Sequence, residues 1–392
     1  MSTDDLVSLD LIRDLVRFDT TSRNSNLELI GYIRDYLAQQ GIESSLIFDE
    51  TGRKTSLYAT VGPKDRGGIL LSGHTDTVPV DGQDWTSDPF TLTRRGDRLY
   101  GRGTADMKSF LAIALAFAPA FAKADLKTPI HYAFSYDEEV GCVGVRPLIA
   151  HLNTLPVHPR MAIIGEPTEM RIICAHKGKL AIRCRVEGKS CHSSLAPQGV
   201  NAVEYAAEVV AYLRGMARRI AAEGPFDDGF DIPHTTVHTG VIRGGTALNI
   251  VPSECEFDFE FRYLPEQDPA VLSAEVKRFA HEVLEPQMKA VAPDAGFSWQ
   301  ELSATPSLDV APEDEVVTLA KALAGQNDHS KVAFGTEASL FQKSGNIPAV
   351  VCGPGNIAQA HKPDEYIELS EIAKCEAFMR NLLDRITAAS LY

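Results

Sequence analysis

The chain contains 392 residues, 44% of them hydrophobic and 23% charged, and it carries a formal net charge of −15 at pH 7. This composition is typical of a globular protein, and the length favours two domains over a single core. The acidic balance argues against a nucleic-acid partner, which would select a basic surface.

The start of the chain and the cysteines indicate the compartment. Residues 1–5 are acidic and lack the apolar segment of a signal peptide. The longest apolar run, residues 110–121, is too short to span a bilayer. The 7 cysteines are scattered and form no C-x-x-C pair, which favours reduced thiols and argues against a thiolate metal site. We therefore predict a cytoplasmic protein without a membrane partner.

Strands and helices alternate in the first part of the chain. Patterns typical of helices occur at 7–18, 27–39, 109–121 and 146–152, and patterns typical of strands occur at 43–48, 56–61, 69–72, 129–136 and 161–165. This alternation predicts an α/β fold with a mixed, largely parallel sheet flanked by helices.

The hydrophobic pattern changes near Lys177. From there, strands alternate apolar and polar residues, as half-exposed antiparallel strands do. The order is a strand, a helix, two strands, a helix and a strand, at 179–186, 200–222, 235–242, 253–262, 269–291 and 297–302. This βαββαβ order predicts a ferredoxin-like α+β domain.

The α/β pattern returns after Pro306, with a helix at 314–324, a strand at 349–352 and a closing helix from 370 to about 388. The smaller domain is therefore predicted to be an insertion. We assign residues 1–177 and 305–392 to a catalytic, metal-binding domain and residues 178–304 to the inserted domain.

The first candidate ligand is His74, which follows the strand at 69–72, with Asp76 two residues later. In an extended backbone, residues i and i+2 point to the same side. His74 can therefore face a metal ion while Asp76 accepts a hydrogen bond from its other ring nitrogen, which fixes the tautomer. A single His-x-Asp is more often structural, so the prediction depends on other donors.

Further donors follow other strands of the predicted sheet. In an open α/β sheet, ligands bind outside the carboxyl ends of the strands, so these side chains are expected to meet at one edge. They are Asp106, Glu138, Glu139, Glu166 and His361.

The donor types indicate the metal. Two histidines with several carboxylates suit zinc, or a similar ion such as cobalt or manganese. The set is too large for one tetrahedral zinc ion and sufficient for two that share a bridging carboxylate. Each carboxylate alone could instead be a helix cap, a turn residue or part of a solvated acidic patch. Their recurrence at successive strand ends favours the metal site.

Four motifs together resemble the dinuclear zinc deacylase family, which includes acetylornithine deacetylase, succinyl-diaminopimelate desuccinylase, aminoacylase and glutamate carboxypeptidase. The motifs are SGHTDTVP (72–79), GRGTADMK (101–108), DEEVG (137–141) and GEPT (165–168), and the resemblance extends from about residue 10 to 385. It implies a metal-dependent amidohydrolase. It also implies that segment 178–304 is a lid that carries homodimer contacts.

The resemblance implies a role for each donor. One metal ion would be bound by His74 and Glu166, the other by Glu139 and His361, and Asp106 would bridge them. The ions are expected to be two divalent cations, Zn²⁺ in preference to Co²⁺. The resemblance also implies a cis peptide bond after Asp106.

Two further carboxylates receive roles from the resemblance. Asp76 would orient His74, and Glu138 would be the general base that takes a proton from a metal-bridging water. That water would then attack the acyl carbonyl.

The resemblance extends to the inserted domain and the segment after it. His192 resembles a lid histidine that reaches across the dimer to the oxyanion, although Cys191 stands where many relatives have glycine. The residues that would hold or surround the substrate are Asn249, Arg262, Gly335 and Thr336. Arg262 could instead pair with a neighbouring carboxylate, and the glycine could serve a turn.

Within the family, segments 75–85, 135–142 and 176–178 most resemble acetylornithine deacetylases. This implies hydrolysis of N-acetyl-L-ornithine, a small N-acyl amino acid, to L-ornithine and acetate, a step in arginine biosynthesis. A succinyl-diaminopimelate desuccinylase or a broad N-acyl-amino-acid amidohydrolase is the alternative.

Two other classes of protein are disfavoured. A non-catalytic relative with a decayed site would lack Glu138 or a ligand, and every expected position is filled. A cysteine hydrolase that uses Cys191 beside His192 is disfavoured because adjacent residues in an extended segment point apart.

Overall fold

The computed structural model describes residues 6–388 of the chain. The α-helices are α1 (Leu9–Val16), α2 (Leu27–Gln39), α3 (Lys108–Ala116), α4 (Ala118–Lys123), α5 (Val145–Leu152), α6 (Ala202–Glu223), α7 (Pro269–Arg278), α8 (Glu285–Val291), α9 (Glu315–Ala324), α10 (Ala338–Gly345) and α11 (Leu369–Ala388). A π-helical segment, Phe279–Leu284, joins α7 to α8, and short 3₁₀ helices span Ser193–Gln198 and Ile357–Gln359. Within residues 6–388, no helix has both the length and the apolar character needed to cross a membrane.

The strands lie between these helices along the chain. They are β1 (Ser44–Phe48), β2 (Thr55–Val61), β3 (Ile69–His74), β4 (Thr93–Arg95), β5 (Arg98–Tyr100), β6 (Ile130–Ser135), β7 (Met161–Pro167), β8 (Ile173–His176), β9 (Gly178–Glu187), β10 (Thr236–Gly244), β11 (Glu254–Tyr263), β12 (Gly296–Thr305), β13 (Leu308–Asp309), β14 (Ser330–Val332), β15 (Ala349–Gly353) and β16 (Tyr366–Glu368).

The described chain forms two compact units. The first contains residues 6–175, 308–330 and 336–388, and the second contains residues 176–307 and 331–335. The segment predicted as an insertion, 178–304, lies within the second unit, to which residues 331–335 also belong. The assignment of the units as a catalytic domain and a lid stays a prediction.

The main sheet of the first unit has the strand order β1-β2-β6-β3-β7-β15-β8-β13. Its central pairs, β6 with β3, β3 with β7 and β7 with β15, are parallel, whereas β1 with β2, β2 with β6 and β15 with β8 are antiparallel. Helices α2, α3, α5, α9 and α10 pack against strands of this sheet. This arrangement confirms the predicted mixed, largely parallel sheet flanked by helices.

The central strands are buried along their whole length, as parallel strands covered by helices are. Every residue of β3, β6 and β7 is buried. Glycine is required where α3 approaches the sheet most closely. A Cβ on Gly73 would lie 2.3 Å from the Met107 side chain, and one on Gly165 would lie 1.9 Å from the Phe110 ring. Because these two positions are glycine, Met107 and Phe110 can pack directly against the ends of the two strands that carry His74 and Glu166.

The second unit contains a four-stranded antiparallel sheet with the order β10-β11-β9-β12. Its apolar face packs against α6, α7 and the π-helical segment through side chains of alternating strand positions, among them Cys255, Phe257, Phe259 and Phe261. The βαββαβ chain order and this strand order together form a ferredoxin-like arrangement, as predicted.

A small antiparallel sheet in the first unit has the order β16-β5-β4. Tyr366 pairs with Tyr100, and Ile367 pairs with Leu99. The sheet therefore joins the segment that precedes Asp106 to the segment that follows His361.

Candidate metal centre

Parallel pairing brings four of the candidate donors to one edge of the main sheet, whereas Asp106 and His361 lie in connecting segments. Strand β3 lies between β6 and β7, and His74, its last residue, is in register with Ser135, the last residue of β6. The segment 137–139 leaves β6 at this edge, and Glu166 lies near the end of β7. Donors that are far apart in sequence thus become neighbours because their strands end side by side.

Asp106 lies between two histidines. Its Oδ1 is 3.0 Å from Nε2 of His74, and its Oδ2 is 3.2 Å from Nε2 of His361. Each histidine also faces a second carboxylate. His74 Nε2 is 3.7 Å from Glu166 Oε1, and His361 Nε2 is 3.1 Å from Glu139 Oε2. The five side chains therefore form two His–Glu pairs that share one aspartate.

Burial and mutual repulsion perturb the carboxylates. Burial, with the nearby Asp106 charge, raises the pKa of Glu139 and of Glu166. Burial and neighbouring carboxylates raise the pKa of Glu138 to about 8. Burial also opposes ionisation of Asp106, but hydrogen bonds from His361 and His74 outweigh it and lower the pKa of Asp106.

The histidines respond in the opposite sense. Hydrogen bonds with Asp106 and Glu139 raise the pKa of His361 to about 10. Although burial opposes protonation of His74, the charges of Glu166 and Asp106 raise its pKa well above the usual value. The exposed fraction is only 1% for His74 and 6% for Asp106. Carboxylates that lie this close together are stabilised by positive charge among them, which protons or metal ions can supply.

The cluster fits divalent cations. Single donor atoms of His74, Asp106 and Glu139 all lie within 4.8 Å of one another, and so do those of His74, Glu138 and Glu166. Imidazole nitrogens and carboxylate oxygens are ligands of zinc and similar first-row ions. The Asp106–Met107 peptide bond beside the cluster is cis, which confirms that expectation.

Asp76 contacts other groups besides His74, the partner that the spacing predicts. Nδ1 of His74 lies 3.0 Å from the backbone carbonyl oxygen of Asp76 and 3.4 Å from its carboxylate. The carboxylate accepts hydrogen bonds from the backbone N–H groups of Glu138 at 3.0 Å and Glu139 at 3.3 Å, and from the Ser22 hydroxyl at 2.7 Å. Asp76 therefore anchors the segment that carries Glu138 and Glu139, and the main chain provides the nearer acceptor for His74.

Glu138 lies beside the cluster and is partly accessible to solvent. The Cys142 thiol donates a hydrogen bond of 3.2 Å to Glu138 Oε1. A carboxylate with a raised pKa that lies next to candidate metal ligands has the properties of a general base or acid.

Two predicted residues of the second unit lie close together. His192 forms a β-bridge with Ile250, and the backbone N–H of Ser193 donates to the carbonyl oxygen of Asn249 at 3.0 Å. Arg262, on β11, donates to Glu260 Oε1 at 3.1 Å. This is the pairing with a neighbouring carboxylate that the sequence leaves open.

Gly335 and Thr336 fall on opposite sides of a unit boundary. Gly335 ends the segment 331–335 of the second unit, and a Cβ there would meet Lys177 O at an ordinary 3.5 Å. Thr336 is buried in the first unit, where its hydroxyl oxygen accepts the Ala338 N–H at 3.2 Å.

Three further charged residues, Glu337, Arg102 and Glu365, are buried near the cluster, and no motif or spacing predicted a role for them. Glu337 is fully buried and accepts hydrogen bonds from the hydroxyls of Ser72 at 2.6 Å and Ser135 at 2.7 Å. Arg102 and Glu365 form a buried ion pair. Arg102 lies in the motif at 101–108, but charged residues are rarely buried, and no local pattern indicated that these three are.

Comparison with known proteins identifies the class. The chain belongs to peptidase family M20/M25/M40, which matches residues 70–385. It is therefore a metal-dependent amidohydrolase, which confirms the prediction.

The chain is similar to individual proteins in sequence and in structure. The chain is 35% identical over 383 residues to the acetylornithine deacetylase of Photorhabdus laumondii subsp. laumondii, covering 96% of each sequence. Two solved structures share its fold. The M20 family metallo-carboxypeptidase Sso-CP2 of Sulfolobus solfataricus has a TM-score of 0.76 at 19% identity, covering 97% of this chain and 99% of that one. The YxeP protein of Bacillus subtilis, a dinuclear metal-binding peptidase of the M20 family, has a TM-score of 0.66 at 15% identity, covering 97% and 98%.

Metal affinity is expected to fall as the pH is lowered. His361, with a pKa of about 10, is protonated throughout pH 6 to 8 in the metal-free protein. Because a metal ion at His361 would need the neutral imidazole, its binding is expected to displace at least this proton, which costs about tenfold in affinity per pH unit. Calorimetric titration of chelator-treated protein with Zn²⁺ at pH 6.5 and 7.5, in buffers of different ionisation enthalpy, measures both the affinity and the protons released. Equal affinity at the two pH values, without proton release, would contradict this prediction.

Proposed function

We propose that the protein hydrolyses N-acetyl-L-ornithine to L-ornithine and acetate with two divalent metal ions. The main support for the proposal is the position of Asp106 between His74 and His361. His74 also faces Glu166, and His361 also faces Glu139. The similarity to acetylornithine deacetylase over nearly the whole chain supports the substrate, and the dinuclear YxeP protein supports the number of ions.

The ligands divide between the two ions. His74 and Glu166 would hold one ion, His361 and Glu139 would hold the other, and Asp106 would lie between the two. Zinc fits this imidazole and carboxylate set, and cobalt is the alternative. Divalent ions bound there would supply Lewis-acid chemistry, polarising the acyl carbonyl and lowering the pKa of a water molecule.

Glu138 moves the proton. Its carboxylate takes a proton from the attacking water and later delivers it to the leaving amine nitrogen. In the metal-free protein, burial and neighbouring carboxylates raise the pKa of Glu138 to about 8, so this side chain binds a proton more readily than an ordinary glutamate does. Asp76 holds the backbone of Glu138 and Glu139, so the base and a ligand keep a fixed separation.

The second unit contributes substrate recognition in this proposal. His192 stabilises the oxyanion, and Asn249 with Arg262 holds the substrate carboxylate, while Gly335 and Thr336 line the pocket. The second unit serves as a lid and as the contact surface of a homodimer. The reaction supplies ornithine for arginine synthesis in the cytoplasm.

A substrate comparison tests the proposal. Metal-loaded protein is expected to release ornithine from N-acetyl-L-ornithine with kcat/KM at least about 10²-fold above that for N-succinyl-diaminopimelate, because a pocket specific for an acetyl group would leave the second carboxylate of a succinyl group unpaired. The amine product is quantified for both substrates, with chelator-treated protein as the control.

Other outcomes would change the assignment. Preference for the succinyl substrate would overturn the proposal in favour of a desuccinylase. Similar rates over many N-acetyl amino acids would indicate a broad amidohydrolase, and no metal-dependent release from any substrate would contradict the catalytic role.

A further inference from the structure

A buried ion pair lies next to the candidate metal centre. Arg102 Nη1 donates to Glu365 Oε2 at 2.6 Å, and each side chain is only 1% exposed. Removing two charges from water is costly, and apolar residues of similar volume often stabilise a protein as well or better. A contribution to the free energy of unfolding therefore does not explain why this ion pair is buried. The other hydrogen bonds of Glu365 and Arg102 indicate its role.

The second oxygen of Glu365 holds the main chain at Asp106. Glu365 Oε1 accepts the backbone N–H of Ala105 at 2.8 Å and that of Asp106 at 3.1 Å. Hydrogen bonds from N–H groups to a buried carboxylate are stronger than those between neutral groups. The backbone that orients the Asp106 side chain is thus fixed by a residue more than 250 positions away in the chain.

Glu365 also lies in the segment that carries His361. Its carbonyl oxygen accepts the Gly101 N–H at 3.0 Å, and the strand that follows it, β16, pairs with β5. The segment before Asp106 and the segment after His361 are therefore joined at Glu365 by main-chain and side-chain contacts.

Arg102 extends the connection to the His361 side. Its guanidinium donates to the Gln83 side-chain oxygen at 2.6 Å and to the Lys362 carbonyl oxygen at 3.3 Å. Gln83 in turn donates from Nε2 to the His361 carbonyl oxygen at 3.1 Å. The guanidinium also lies 5.1 Å from the centre of the Trp85 ring, a cation–π contact that keeps it in place.

We propose that Glu365 is a positioning residue that sets the distance between the Asp106 carboxylate and the His361 imidazole, with Arg102 holding Glu365 in place. The inference rests on the proposed function, in which Asp106 and His361 are ligands of the same ion. Glu365 acts through these ligands and touches neither metal nor substrate. Its loss lets Asp106 and His361 move independently, which weakens the site that needs both.

The test compares Glu365→Gln with Glu368→Gln. Glu368 lies three residues later, is about half exposed and pairs with Arg98, so it provides a matched control. Calorimetric titration of the chelator-treated full chain with Zn²⁺ measures both sites. For Glu365→Gln we expect one of two sites to weaken by roughly 10- to 100-fold, the range found for partners of metal ligands. We also expect kcat to fall more than KM rises, and Glu368→Gln to behave as the wild type.

A double variant separates positioning from charge burial. Glu365→Gln leaves Arg102 buried without its carboxylate, so any loss could reflect instability alone. Arg102→Met with Glu365→Gln removes the unpaired charge and is expected to recover thermal stability without recovering metal affinity. Recovery of affinity in the double variant, or wild-type affinity in folded Glu365→Gln, would overturn the inference.

The ligand variants show whether the proposed function itself has failed. If His361→Ala and Asp106→Asn also bind two ions with wild-type affinity, the proposed ligand set is wrong. If they lose metal while Glu365→Gln does not, the ligand set is supported and only the positioning role is contradicted.

Discussion

Replacing Glu138 with glutamine is expected to lower kcat by roughly 10²- to 10⁴-fold, the range that general acid–base catalysis contributes. Glutamine keeps the size of the side chain but cannot accept the proton of the attacking water. Because Glu138 is proposed to act beside the metal ligands and not as one of them, the variant is expected to retain two ions per chain. Steady-state kinetics and elemental analysis of the same preparation measure both quantities.

Glu139→Gln is the matched control, since it makes the same change one residue later. Glu139 Oε2 lies 3.1 Å from His361 Nε2, so its loss is expected to reduce metal content as well as activity. Loss of metal in Glu138→Gln would instead make Glu138 a ligand. The geometry allows that result, because donor atoms of Glu138, His74 and Glu166 lie within 4.8 Å of one another.

Replacing Asp106 with asparagine is expected to have the largest effect on metal binding. Each carboxylate oxygen of Asp106 faces a different histidine, and a neutral amide cannot balance two cations. Both ions should bind more weakly by more than about 100-fold, beyond the loss typical for residues that only support a ligand. Zinc titration of the chelator-treated variant measures the two affinities, and activity should fall with them.

Asp125→Asn provides the surface control, because that side chain is 87% exposed and pairs only with Lys127 among the ion pairs of residues 6–388. Its metal affinity should match the wild type. If Asp106→Asn keeps one ion at wild-type affinity, Asp106 is a ligand of the other ion alone and does not bridge. If it keeps both, the carboxylate has no role in metal binding.

The fold was predictable because its elements have clear local patterns. The apolar run at 69–72 and the alternating segment at 253–262 indicated a buried strand and a half-exposed strand, and β3 and β11 have these properties. The change of pattern near Lys177 reflects a real change of sheet type. Residues 331–335 escaped prediction because a short segment without periodicity does not indicate which unit it joins.

The donor set was predictable for a different reason. Carboxylates and histidines after successive strands were expected to meet at one edge of a parallel sheet. The register of β3 with β6 and β7 brings His74, Glu138, Glu139 and Glu166 there, whereas Asp106 and His361 lie in connecting segments. The metal-ligand assignments themselves came from the resemblance and stay proposals. The spacing also predicted Asp76 as the partner of His74. In the structure, the Asp76 carboxylate accepts hydrogen bonds from the backbone N–H groups of Glu138 and Glu139 as well.

The sequence by itself determined which chemical groups are present and which strands deliver them, because residue type and hydrophobic period are local properties. Only the tertiary structure decided that Asp106 lies between His74 and His361, and that Glu365 and Arg102 are buried beside it. The contacts of Asp106 with His74 and His361, and of Arg102 with Glu365, join residues that are 32, 255 and 263 positions apart in the chain. They depend on sheet register and on the paths of connecting segments, which no local pattern records.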